Sequence, residues 1–128
     1  CGPGSFTGIR VGVAAARGLA LGWGVPAAGF SALALIAGRA DGDEEIVAAM
    51  PAGHGELFVQ GFARDPFRPV GAVASLAPDA ARRFAGDREI VEDSTALDAR
   101  HAADLPKVLR LLPPAPIYGR APDARPRA

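Results

Sequence analysis

The chain has one cysteine, one lysine, one tyrosine and one tryptophan in 128 residues, and aromatic side chains make up only 6% of it. A single cysteine, Cys1, excludes an internal disulfide framework. There is also no charge of one sign: 14 basic and 14 acidic side chains give a formal net charge of zero. No basic footprint therefore marks the chain as a direct nucleic-acid or membrane-surface binder, and any service to one is expected to be indirect. Long hydrophobic runs are missing as well. The best one, Val11 to Ala37, is broken by Arg17, several glycines and Pro26, which excludes a spanning helix of about 20 apolar residues. With no cationic stretch leading an apolar one, a cytoplasmic location and no membrane partner are expected. Lys107 is the single lysine among many arginines, and with abundant alanine, 16 glycines and 12 prolines this reflects a coding bias that carries no function. The two histidines, His54 and His101, lie in unrelated contexts, and neither H-E-x-x-H nor H-x-x-x-H occurs. No metal, cofactor or catalytic residue is therefore expected.

What is present is 49% hydrophobic and of single-domain size. It opens on "CGPGSFTGIRVGVAAARGLALG". Gly2 to Thr7 reads as a loop, Ser5 or Thr7 as an N-cap, and a helix is expected from about Gly8 to Leu21, stopped by Gly22 and Gly24. Along it Ile9, Val13, Ala16 and Ala20 recur at helical spacing, while Arg10 and Arg17 share another face. Val25 to Phe30 fits a short buried strand, and Ser31 is placed to cap a second helix from Ala32 to about Gly38.

The polar stretch "GRADGDEE", Gly38 to Glu45, is the best boundary in the chain. Beyond it, Ile46 to Met50 and Leu57 to Ala63 look like strands joined through "PAGHGE", and "RDPFRP" turns the chain before a strand from Val70 to Ala74. A helix is expected over Pro78 to Phe84, a strand over Arg88 to Glu92, and a helix over Leu105 to Leu112 with Pro106 near its start. The tail from Gly119, with Pro122 and Pro126, reads as frayed.

A glycine-rich loop running into a helix is a possible phosphate cradle, because unpaired N–H groups and the helix dipole point at one spot. The glycines at 2, 4 and 8 match neither a Walker A loop nor G-x-G-x-x-G. A plain structural turn, with Gly2 and Gly4 taking unusual backbone angles and Gly8 and Gly12 allowing close packing, outweighs it.

Residues 2 to 37 closely resemble the signature segment of the TsaB/YeaZ family, through the G-P-G-S-F-T-G core, Ile9-Arg10, Gly18-Leu19-Ala20, the Pro26 region and Gly29-x-Ser31. Gly55-Glu56 and Phe58 stand where that family has a Gly-Glu-aromatic element, and Pro116, Tyr118 and Arg120 resemble its Pro-x-Tyr-x-Arg tail. One departure is clear: Pro51-Ala52-Gly53 replaces a common Asp-Ala-Arg run, removing two charges. The resemblance implies an α/β actin-like/ribonuclease H-like (ASKHA) fold, with a partial first lobe over 1–40 (loop, helix, strand, helix) and a smaller second α/β lobe with its tail over 41–128. Because the family begins with strands and a helix before the glycine-rich loop, the chain is expected to be a piece of a longer one.

The resemblance further implies a non-catalytic scaffold that pairs with a TsaD-type threonylcarbamoyltransferase in making threonylcarbamoyladenosine in tRNA. A TsaE-like ATPase would be a further partner, and a homodimer is expected when TsaD is absent. The interface is expected on Ile9, Arg10, Gly12, Val13, Ala16, Arg17 and Ala20, beside the glycine-rich loop of Gly2, Gly4, Ser5, Thr7 and Gly8. Periodicity alone leaves open whether that face meets a partner or its own sheet. Two other readings remain: a glycoprotease-like hydrolase with Cys1 as N-terminal nucleophile, and an actin-like nucleotide-binding module.

Overall fold

The computed structural model describes residues 1–42 and 44–121, so most of the proline- and arginine-containing tail lies outside the described residues. Ser5 starts the first helix by accepting the Gly8 N–H at 3.2 Å, and α1 runs from Phe6 to Trp23. Gly24 ends it at φ 65°, its N–H bonded to the Ala20 and Leu21 carbonyls. Gly22 is therefore not a stop, contrary to expectation: a glycine in the last turn keeps helical angles while the left-handed residue comes two positions later.

Val25 to Phe30 does not form the expected strand. A strand exists only through a hydrogen-bonded neighbour, Pro26 offers no N–H, and only Gly29 pairs, in an isolated antiparallel bridge with Leu112. Helix α2, Ala32–Arg39, follows. Ser31 occupies its N-cap position but makes no capping bond, and its buried hydroxyl has no hydrogen-bond partner among the described residues.

The centre of the molecule is a four-stranded sheet of β1 (Ile46–Gly53), β2 (Glu56–Arg64), β3 (Phe67–Leu76) and β4 (Glu89–Val91) in the order β3-β2-β1-β4. The β1–β2 and β2–β3 pairs are antiparallel, and β4 joins β1 in parallel after the crossover helix α3 (Pro78–Ala85). His54 and Gly55, at φ 53° and 75°, close β1 on β2 as a two-residue loop in which both central residues take positive φ, the geometry that suits the strand twist.

Residues of β1 alternate between two apolar layers. Ile46 and Ala48 face α2 together with Phe58 and Phe62, whereas Val47, Ala49 and Val59 pack under Ala81 and Ala85 of α3. Helices on both faces explain why Ile46 to Ala49 is buried without a break. The α2 layer takes in Leu33, Leu35 and Ile36 as well as Ile46 and Leu105, so one core holds residues from both sides of residue 40.

Arg64 joins these parts. Its guanidinium donates to the Ala37 and Ala40 carbonyls at the end of α2 and lies 5.7 Å from the Phe67 ring. The Ala37 carbonyl otherwise accepts only the capping Ala40 N–H at 3.2 Å, and the Ala40 carbonyl lies beyond the last turn of the helix. Arg64→Met should therefore destabilise the fold by about 1–3 kcal/mol, read as a lower thermal midpoint; an unchanged midpoint would mean that water replaces the guanidinium without loss.

The last expected helix is much shorter than Leu105 to Leu112. Pro106 sits at the N-cap, α4 covers only Lys107–Arg110, and Ala99–Asp104 before it is 3₁₀. A proline disfavours helical angles in the residue before it, and Pro113-Pro114 stops extension at the other end. From there the chain runs back along the N-terminal loop, where the Ile117 N–H meets the Cys1 carbonyl at 2.9 Å.

Candidate functional site

Three separated segments meet in one cleft of about 860 Å³. Its walls come from Gly4 to Phe6 and Arg10 at the start of α1, Pro51 to His54 at the β1–β2 tip with Phe58 behind them, and Tyr118 to Ala121. The Phe6 and Tyr118 rings stack at 4.4 Å with 14° between planes. Arg10 lies 4.3 Å from the Phe6 ring centre and donates from Nε to the Tyr118 hydroxyl at 3.0 Å. On the neighbouring wall Glu56 accepts a hydrogen bond from Ser75 Oγ at 2.5 Å and pairs with Arg120 at 3.6 Å. The motif residues Arg10, Glu56, Phe58, Tyr118 and Arg120 thus belong to one constellation.

Gly119 allows that convergence. A Cβ built on it would stand 2.3 Å from the Phe58 ring, a distance no side chain tolerates. At the β1–β2 tip, Pro51, Ala52 and Gly53 give the cleft an uncharged floor.

The remaining predicted site residues lie around α1. Ile9, Gly12, Val13 and Ala16, with Gly2, Gly4, Ser5 and Gly8, line a second groove of about 460 Å³ between α1 and residues 28 to 32. Ile9, Val13 and Ala20 are half-buried, while Thr7, Ala16 and Arg17 are exposed. No residue of α1 is buried, although its sequence is apolar on almost every side: Val11 is 62% and Trp23 72% exposed. A helix apolar all round is normally enclosed.

His54 stands at the tip of the hairpin, whereas His101 lies across the molecule with its Nδ1 3.6 Å from Asp104. Among the described residues no group of three His, Cys, Asp or Glu side chains is placed to hold a metal. The backbone nitrogen of Cys1 donates to the Phe30 carbonyl at 3.0 Å, and its sulfur lies 3.8 Å from the Pro113 carbonyl oxygen. Sequence reasoning missed Phe6 and Ser75. Phe6 carries a signal in hindsight, an aromatic one helical turn before Arg10, but its stacking partner stands at the other end of the chain.

Residues 1–86 match the family described as TsaD, tRNA N6-adenosine threonylcarbamoyltransferase. The chain is 43% identical over 67 residues to the tRNA threonylcarbamoyladenosine biosynthesis protein TsaB of Escherichia coli, covering 50% of this chain and 29% of that protein. An uncharacterized protein of Mycobacterium tuberculosis H37Rv is 34% identical along the whole of this chain and 65% of its own length. The structure of YeaZ from Pseudomonas aeruginosa superposes with a TM-score of 0.53 at 34% identity, over 61% of this chain and 39% of that one. The chain therefore spans less than two thirds of each of these relatives. Family match, relatives and fold agree: this chain belongs to the TsaB/YeaZ family and shares the actin-like α/β architecture of its solved members.

Proposed function

We propose that the chain acts as a non-catalytic accessory subunit that pairs through α1 with a TsaD-type threonylcarbamoyltransferase in the N6-threonylcarbamoyl modification of tRNA adenosine. The observation that carries this reading is an 18-residue apolar helix without one buried residue, in a family whose relatives bear names from that modification. Covering Val11, Leu19, Leu21 or Trp23, all more than half exposed, contributes about 1.5–3 kcal/mol for each large side chain enclosed. The small residues Gly8, Gly12 and Ala16 let a partner helix approach closely along the groove, with Ile9 and Val13 as knobs and Arg17 at the rim.

On this reading the protein works in the cytoplasm and meets tRNA only through its partner. It assembles with itself through the same face when the partner is absent, and a TsaE-like ATPase joins the pair. No helix among the described residues is long and apolar enough to cross a membrane.

Ala16→Glu tests the pairing. Ala16 is exposed in the chain alone, so the variant should fold normally. A carboxylate without a partner in an apolar contact should then weaken association with a TsaD-type subunit by about 100-fold or more. Light scattering of the mixed proteins and threonylcarbamoyl transfer by the pair should fall together. Undiminished pairing by Ala16→Glu would remove α1 from the interface.

A further inference from the structure

We propose that the cleft around Arg10 is a binding site for a small organic oxyanion, a phosphomonoester or carboxylate carried on a flat apolar group. This goes beyond the pairing role and does not rest on it.

The first observation is how Arg10 is held. Its Nε is bonded to the Tyr118 hydroxyl and its plane lies near the Phe6 ring, which itself stacks on Tyr118. Arg10 is exposed, yet these contacts restrict its rotamers before any ligand arrives, and its two amino groups form a planar pair of donors that matches an oxyanion in bidentate fashion.

The second is what Arg10 lacks. Among the described residues no carboxylate pairs with it, and no protein acceptor meets its amino groups. Several other arginines have acceptors for their amino groups: Arg64, Arg88 and Arg110 donate to backbone carbonyls, while Arg82, Arg100 and Arg120 meet carboxylates. Arg10 combines fixed geometry with unmet donors.

The third is the wall around it. The described lining contains no Asp or Glu, and Glu56 beside it is paired with Arg120, so the charge left to meet an anion is that of Arg10. Phe6, Phe58 and Tyr118 supply apolar surface for a flat body, and about 860 Å³ lies within the range of small-molecule sites, roughly 300–1,000 Å³. A polynucleotide fits less well. Zero net charge and a single lysine leave no extended basic track for a phosphate backbone.

Isothermal titration of the protein at low ionic strength with phenyl phosphate, benzoate and inorganic phosphate tests the site. Saturable one-to-one binding of an aryl anion is expected, tighter than that of inorganic phosphate, and the better of phenyl phosphate and benzoate identifies the acid group. Arg10→Met should weaken binding by about tenfold or more, and Arg10→Lys by less, since an ammonium keeps the charge without the planar fork. Arg83→Met, a change far from the cleft, should leave affinity within about twofold. If Arg10→Met unfolds the chain, Tyr118→Phe keeps the ring and removes only the hydroxyl that orients Arg10; it should weaken binding about threefold or more. The proposal is overturned if neither aryl anion saturates the wild-type protein, if the variants that fold bind as tightly as it does, or if a tRNA fragment binds through Arg10 while the aryl anions do not.

Discussion

Phe62→Ala is expected to lower the free energy of unfolding by about 3–5 kcal/mol, the range for deleting a fully buried phenyl ring. Phe62 is 1% exposed, sits opposite Ile46 in the β1–β2 ladder, and stacks on Phe67 at 5.6 Å. It also belongs to the layer that fastens α2 to the sheet. Its removal leaves a cavity bounded by backbone ladders on one side and a short helix on the other, neither of which can collapse freely into it. A domain of this size has about 5–15 kcal/mol in total, so the variant should be close to unfolding at moderate temperature. Urea melts should show a much lower midpoint with an unchanged slope. A loss below about 1 kcal/mol would mean that α2 does not close on the sheet at this point.

Gly119→Val should open the cleft from its C-terminal wall. The first atom of the new side chain would fall within 2.4 Å of two Phe58 ring atoms, and Phe58 is itself 3% exposed, with no room to retreat. The C-terminal segment must lift instead, taking Tyr118 away from Phe6 and its hydroxyl away from Arg10. Overpacking of this kind costs about 1–3 kcal/mol. The chain has one tyrosine and one tryptophan, so in a Trp23→Phe background the loss of tyrosine near-ultraviolet circular dichroism reports the event. Retention of that signal with wild-type stability would show that the Phe58–Gly119 contact is not close in solution. Because Gly119→Val disturbs α1 only at Phe6 and Arg10 and leaves Val13, Ala16 and Leu19 as they are, it should leave pairing with a TsaD-type subunit largely intact, which separates the two surfaces experimentally.

Local chemistry made much of the fold readable. The Ser5 cap, the helix after it, the β1–β2 hairpin around His54-Gly55 and the proline-led α3 each depend on residues within a few positions of one another. Val25 to Phe30 departs from its expected strand for the opposite reason: its composition suits a strand, but a strand is a relation between two segments, and only Gly29 finds a partner. The α4 region failed in a similar way, since apolar spacing continued past prolines whose rings end the helix. The motif residues behave differently again. Tyr118 and Arg120 were legible as a family-like tail and Arg10 as part of the opening segment, yet nothing in their spacing told that they touch.

By itself the sequence determined the helices and hairpin set by short-range capping and turn chemistry, and membership of the TsaB/YeaZ family; that β1 is buried on both faces came from the helices packed on either side of it. Only the tertiary structure decided that α1 stands uncovered and that Phe6, Arg10, Phe58, Tyr118 and Arg120 form one cleft. The physical reason is that hydrogen bonds within a helix or turn are specified by neighbours in the chain, whereas a cleft is specified by the path of the backbone between its walls. Here that path depends on Gly119 passing against Phe58 and on residues 113 to 118 running back beside Cys1.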